Sequence, residues 1–222
     1  MLHLDNVSVQ FSGKTVLDRV NLQVPVGEFL VVIGENGAGK STLFNVISGA
    51  TVPSAGQVRL RTKKITRVLQ DPRAGTLENM TIFENMAFAY RRAQRRSLLP
   101  CFAARRVPLF REKLSVLHMD LENRLNEKVS ALSGGQRQAL SLVMAILADY
   151  DLLLLDEFTA ALDPQSSETL LALTNKILRA EQKTAIMITH NMDQAWKYGD
   201  RIVILKKGQL SDVPKSVHLN LP

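Results

Sequence analysis

Apolar positions set the frame of this chain. Leu4 to Phe11 and Val16 to Val24 are alternating or apolar stretches of the kind that form strands. Phe29-Leu30-Val31-Val32-Ile33 is apolar throughout and rich in β-branched residues. A run without a polar face predicts a central parallel strand covered on both sides. Gly34 ends it, and a helix is predicted from near Gly39 to Gly49, a residue suited to the position just past a helix end. Gln57 to Leu60 and Ile65 to Leu69 read as two further strands.

From about Pro72 to Leu147 the pattern turns mostly helical, with Pro100 and Pro108 interrupting it. Leu140, Val143, Met144 and Leu147 follow i, i+3, i+4, i+7 spacing, which predicts a helix that buries one face. Strand character returns at Leu152-Leu153-Leu154-Leu155. Asp163 and Pro164 have the character of an N-cap and first helical residue, opening a helix whose apolar face is Leu170, Leu173, Ile177 and Leu178. Ala185 to Ile188 and Ile202 to Leu205 are two more predicted strands. Strands alternating with helices on both sides of a helical insert predict an α/β core with a parallel sheet.

Composition narrows the class. With 222 residues, 45% hydrophobic and 22% charged, the chain is an ordinary globular sequence, long enough for a sizeable core, and not a disordered tail or collagen-like fibre. Its one cysteine, Cys101, excludes a disulfide within the chain and fits a reducing compartment. No apolar run reaches the roughly 18 residues that span a bilayer, and the N-terminus lacks signal-peptide character, so the expectation is a chain with no membrane span of its own.

The strongest chemical signal is Gly34-Glu35-Asn36-Gly37-Ala38-Gly39-Lys40-Ser41, with Thr42 following. It fits G-x-x-x-x-G-K-[ST] between a predicted strand and a predicted helix. Glycines let the backbone curl so that successive N–H groups face inward as an anion nest. The helix N-terminus adds positive potential at the same point. Lys40 supplies a movable charge for the β- and γ-phosphates, and the Ser41 hydroxyl can ligate Mg²⁺.

Leu152 to Leu155 run into Asp156-Glu157. An acidic pair there lies at the carboxyl edge of the sheet, where ligands of open α/β folds bind. Asp156 is the candidate to hold Mg²⁺ through water, and Glu157 to polarise an attacking water. A solvated acidic turn is the plainer alternative, disfavoured beside a phosphate loop. Leu132-Ser133-Gly134-Gly135-Gln136 precedes the amphipathic helix. Ser133 and the glycine N–H groups form either a second phosphate-type site or an ordinary helix cap.

The order of these motifs resembles the ATP-binding cassette (ABC) ATPases of ABC transporters, from Phe11 to about Leu210. The resemblance implies a P-loop NTPase core with a parallel sheet, an N-terminal antiparallel β-subdomain and an inserted α-helical subdomain. Residues 1–71 and 150–222 would form the core with its β-subdomain, and 72–149 the helical subdomain. In that family Phe11 occupies the place of the adenine-stacking aromatic, usually a tyrosine. Gln70 looks like the Q-loop glutamine, which senses the γ-phosphate and the metal. Ala161-Leu162-Asp163 looks like the D-loop, with Asp163 near nucleotide, and His190 like the switch histidine, which contacts the γ-phosphate and positions the water. Ser133, Gly134, Gly135 and Gln136 would meet the γ-phosphate held by Lys40 of a second copy, making a head-to-tail homodimer. The stretch from Thr51 to Leu69 is shorter than the family leads one to expect.

Finer resemblance is to the ATPases of tryptophan/tyrosine-type amino-acid importers. It rests on Leu121 to Leu125, Leu132 to Leu140, Thr159 to Pro164, and Gln70-Asp71-Pro72 with Gly75-Thr76 and Met80. The resemblance implies a Mg-dependent ATPase, with ATP and Mg²⁺ as cofactors. It would sit on the inner face of the cell membrane, energising a permease and through it a solute-binding protein. A cassette ATPase of iron–sulfur cluster assembly is the alternative. DNA-repair cassettes carry a long coiled coil between Q-loop and signature, and translation cassettes usually come two to a chain, so both fit this sequence poorly.

Charge is uneven. The overall +7 comes from one segment: Arg91, Arg92, Arg95, Arg96, Arg105, Arg106, Arg111 and Lys113 stand against Glu112 alone, leaving 20 basic and 20 acidic residues elsewhere. Docking on a permease or on anionic head groups is the favoured reading, ahead of a solvated charged face. Nucleic acid is not expected as a partner.

Overall fold

A computed structural model of the chain describes residues 1–93, 104–160 and 162–214. Strands β1 (Leu2–Phe11) and β2 (Lys14–Val24) form an antiparallel hairpin. Ser12 and Gly13 turn it with φ of 48° and 81°, the left-handed pair of a tight hairpin turn. β4 (Ala55–Leu60) pairs with the other side of β1, completing a three-stranded antiparallel sheet.

The second sheet has six strands in the order β5-β6-β7-β3-β8-β9. They are β3 (Phe29–Ile33), β5 (Ile65–Val68), β6 (Leu152–Asp156), β7 (Thr184–Ile188), β8 (Arg201–Lys206) and β9 (Gln209–Asp212). All neighbours pair in parallel except β9, which turns back antiparallel on β8. Every residue of β3 and β7 is buried. The reason lies in two apolar layers. Leu30 and Val32 face the antiparallel sheet and helix α1 (Lys40–Ile47), while Phe29, Val31 and Ile33 face the remaining helices.

Between β5 and β6 the chain is helical: α2 (Pro72–Gly75), α3 (Ile82–Ala93), α4 (Val107–Ser115) and α5 (Gly134–Leu147). Phe110 of α4 packs against Phe83 and Tyr90 of α3, with ring centroids at 5.4 Å and 6.1 Å. α6 (Pro164–Ala180) and α7 (Met192–Tyr198) flank β7 in sequence.

The expected elements are present, with three differences. α5 is buried nearly all round, including Ala139, Leu142 and Ala145, because it lies under both the sheet and the other inserted helices. α6 buries Leu170 and Leu178 as expected, but with Ser167, Leu171 and Thr174 beside them, while Leu173 and Ile177 stay half-buried, Leu173 still packed against the core. Thr174 satisfies its hydroxyl on the Leu170 carbonyl at 2.7 Å, which lets a polar residue sit in the core. β9 and α7 are too short to leave a periodic signal. Arg95, Arg96, Cys101 and Ala161 lie outside the described residues.

Candidate functional site

The loop from β3 into α1 is shaped by close backbone approach. A Cβ at Gly34 would lie 2.4 Å from the Leu205 carbonyl oxygen of β8. Gly39, the N-cap of α1, has φ of 106°, and a Cβ there would lie 2.9 Å from the Val16 carbonyl oxygen of β2. The loop is thus pressed between a parallel strand and the β-hairpin, and only glycine fits at either point. The Ala38 carbonyl accepts from the Gly208 N–H at 3.2 Å, fixing the loop to the β8–β9 turn.

Lys40 is the first residue of α1, yet only 8% exposed. Its Nζ donates to the Gly34 carbonyl at 2.7 Å and the Glu35 carbonyl at 3.2 Å, and lies 3.3 Å from Glu157 Oε1. Glu157 immediately follows β6 with φ of 42°, a left-handed conformation uncommon for a residue with a side chain. Its N–H donates to the Ile188 carbonyl at 3.0 Å, so β7 holds it there. Glu157 Oε2 is 3.6 Å from His190 Nδ1. The two glutamate oxygens therefore face Lys40 on one side and His190 on the other.

A cleft of about 490 Å³ is lined by Asn36, Gly37, Gly39, Lys40, Ser41, Thr42, Gln70 and Glu157, with Val16 of β2. A second, of about 440 Å³, begins at Glu157 and runs past Leu162 to His190. Asp156 lies just behind Glu157, half-buried and paired with Arg67 of β5. Phe11 is half-exposed at the hairpin end and does not line the phosphate-loop cleft.

Ser133, Gly134, Gly135 and Gln136 are not brought to Lys40 within this chain. They open α5, where Ser133 and Gln136 form a capping box: the Gln136 N–H donates to Ser133 Oγ at 3.2 Å, and the Ser133 N–H to Gln136 Oε1 at 3.1 Å. The cap and the second phosphate-type site are not rival readings, because capping leaves the Gly134 and Gly135 N–H groups of the first turn directed outward. A Cβ on Gly135 would lie 3.4 Å from Leu162, so this loop touches the turn that leads to α6. Asp163 caps α6, its carboxylate accepting from the Ser166 N–H at 3.0 Å. That bonding to Ser166 holds the Asp163 carboxyl below its ordinary range.

A nest-forming loop after β3, a buried lysine, an acid after β6 and a remote Ser-Gly-Gly helix start now stand in one geometry. A family model described as ABC transporter matches residues 17–160. The chain belongs to that family, and it is an ABC ATPase.

This ABC ATPase is 40% identical over 227 residues to a tyrosine transport ATP-binding protein of Clostridioides difficile, covering 95% of this chain and 90% of that protein. It is 34% identical to a bicarbonate transport ATP-binding protein of Synechococcus elongatus, covering 94% of this chain and 74% of the relative. Among solved structures, a dimeric ATP-binding cassette in a post-hydrolysis state bound to ADP and Pi superposes with a TM-score of 0.83 at 27% identity. The match covers 96% of this chain and 99% of that one.

Three polar residues of this ABC ATPase escape sequence reasoning. Arg67 reaches Asp156 and Asn45. Gln138 of α5, almost fully buried, donates to the Leu69 carbonyl at 3.0 Å and so ties the signature helix to the residue before Gln70. Gln194 of α7 accepts from Thr159 Oγ1 at 3.3 Å and donates to Ser167 Oγ at 2.8 Å, joining the turn after Glu157 to α6. Gln138 lies within the Leu132 to Leu140 stretch noted above, but the contact each of the three makes follows only from what the fold sets beside it. Arg106, counted above with the basic segment, is buried with its guanidinium 4.8 Å from the centre of the Tyr90 ring. It is therefore packing, not part of a solvated cluster, whereas Arg91 and Arg92 are exposed.

Proposed function

We propose that this chain is the ATP-hydrolysing nucleotide-binding subunit of an ABC importer for amino acids or similar small solutes, working as a homodimer on a separate membrane permease. The observation that carries the reading is the meeting of Lys40, Ser41, Gln70 and Glu157 around one cleft at the carboxyl edge of the sheet. The named function of the tyrosine transport relative supports the amino-acid cargo. Among the described residues no helix is long and apolar enough to cross a membrane; the relatives' names as transport ATP-binding proteins support a separate permease, on whose inner face this chain would sit. A solute-binding protein would deliver the cargo to that permease.

The residues suit a phosphate-bound magnesium ion. Ser41, Gln70 and Asp156 offer hard oxygens of the kind Mg²⁺ takes, and among the described residues no group of three or more His, Cys, Asp or Glu forms a protein-only cage. Such a sparse set is what a Mg²⁺ shared with nucleotide phosphates requires. When bound, the ion neutralises charge on the β- and γ-oxygens.

The chain's own residues do the rest. N–H groups of Asn36 to Ser41 and Thr42 cradle the phosphates, and Lys40 leaves the carbonyls of Gly34 and Glu35 to meet them. Glu157, pinned to β7, orients a water and draws its proton. His190, beside the same carboxylate, fixes that water's second contact. Phe11, exposed at the hairpin end, would stack on adenine. Ser133, Gly134, Gly135, Gln136 and Asp163, facing away from Lys40 here, would complete the site of a second copy. Residues 72–149 would act as a subdomain that carries this signature surface, and 1–71 with 150–222 as the nucleotide-holding core.

Phosphate release by the purified chain tests the reading. Mg-dependent turnover that Lys40→Ala abolishes, together with nucleotide affinity, supports it. A Lys40→Ala protein that keeps both overturns it. Uptake of labelled tyrosine by cells lacking the chain tests the cargo, and undiminished uptake argues against it.

A further inference from the structure

Arg67 stands on β5, three residues before Gln70, and its guanidinium crosses to the end of β6. Nη2 donates to Asp156 Oδ2 in an ion pair. Nη1 donates to Asn45 Oδ1 of α1 at 2.8 Å, and the group lies 5.5 Å from the centre of the Phe44 ring. One side chain thus joins the strand that leads to Gln70, the acid that ends β6 and the helix that begins with Lys40.

Packing alone does not call for this arrangement. β5 and β6 are already in register through their backbones from Ile65↔Leu152 to Val68↔Leu155. Arg67 and Asp156 side chains are 22% and 13% exposed, and Arg67 Nε is buried with no hydrogen-bond partner. A partly desolvated ion pair that leaves a donor unsatisfied is costly, and an aliphatic residue would fill the same space with less penalty.

We propose that Arg67 is a positioning residue that sets the metal affinity of the site. It grips one oxygen of Asp156 and leaves the other free for the hydration shell of a cation. Its fixed positive charge opposes that cation, so the metal is held loosely enough to depart with product. The proposal rests on the assignment of Asp156 to Mg²⁺ made above.

The test compares full-length wild type, Arg67→Met, Arg67→Gln and Arg67→Lys. Each is titrated with Mg²⁺ while binding of a non-hydrolysable fluorescent ATP analogue is followed. Loss of the charge in Arg67→Met should lower the Mg²⁺ concentration for half-saturation by about threefold to tenfold, and Arg67→Lys should restore it towards wild type. At saturating Mg²⁺, Arg67→Met should lower kcat with little change in KM, because the unsupported carboxylate loses its orientation. Arg67→Gln, which keeps a polar group, serves if Arg67→Met does not fold. A folded, uncharged variant with an unchanged or raised Mg²⁺ midpoint overturns the proposal, even if its melting temperature falls. Wild-type binding that ignores Mg²⁺ overturns the metal assignment beneath it as well.

Discussion

Lys40 Nζ and Glu157 Oε1 face each other at 3.3 Å across the phosphate-loop cleft, both largely buried. The lysine proposed to grip phosphate and the acid proposed to orient water therefore neutralise one another. Two backbone carbonyls complete the lysine's shell, so its charge is not left unpaired. In the proposed reaction, nucleotide would exchange these contacts for phosphate oxygens and free Glu157 towards His190.

Glu157→Gln separates the two roles. The variant loses the ion pair that competes for Lys40, so ATP should bind at least as tightly as to wild type. Turnover should fall by about 10²–10⁴, the usual contribution of a general base. Equilibrium nucleotide binding and phosphate release measure the two, and size exclusion with ATP should show a dimer. Wild-type turnover in the variant would contradict the role given to Glu157.

Gly34→Ala tests how the loop is held. Its Cβ would lie 2.4 Å from the backbone oxygen of Leu205, an atom that cannot move without disturbing β8. The variant should lose about 1–3 kcal/mol of stability and bind nucleotide more weakly, as judged by denaturant unfolding and analogue titration. A fully stable, tightly binding variant would mean that β8 yields more easily than a paired strand should.

Much of this was legible in the residues. The phosphate loop, the acid after β6 and the cap at Asp163 each follow from local chemistry at fixed spacing, and the fold puts them where that chemistry predicts. What escaped depends on contacts distant in sequence. Arg67 and Asp156 are 89 positions apart, and nothing around Arg67 marks it off from a strand residue facing solvent. The α6 face was legible only in part for the same reason: Leu170 and Leu178 are buried as expected, Ser167 and Thr174 were not foreseen. Leu173 and Ile177 are more apolar than Ser167 and Thr174, yet Ser167 meets Gln194 and Thr174 meets its own helix, so the polar pair can be the buried one.

Asp163 gives a prediction about pH. Hydrogen bonds from Ser166 depress its folded pKa below the ordinary 3.8. A depressed carboxyl contributes stability that is present above the unfolded value and is lost as pH falls through the folded one. Asp163→Asn keeps an N-cap acceptor of similar quality but carries no proton-linked charge. Its melting temperature should match wild type near neutrality and decline less between about pH 5 and pH 3. Other depressed acids, Glu168 among them, titrate alike in both proteins, so the difference between the two curves isolates Asp163. Parallel curves would mean the cap contributes equally in both protonation states.

Phe110→Ala asks whether the helical insert and the nucleotide core unfold together. Phe110 is fully buried, and its ring is held by Phe83 and Tyr90 on the facing helix. Truncating it leaves a cavity between α3 and α4, at a cost of about 3–5 kcal/mol. The phosphate loop rests instead on β2, β8 and the β8–β9 turn. Denaturant unfolding should therefore show an early transition for the insert, with analogue binding retained at concentrations where it has melted. Turnover should be lost over the early transition, because in the proposed homodimer α5 would carry Ser133 and Gly135 into the second copy's site, and Gln138 of α5 ties it to the residue before Gln70. A single transition in which binding, turnover and helicity fall together would instead make the insert and core one cooperative unit, joined through the apolar layer that α5 shares with β6.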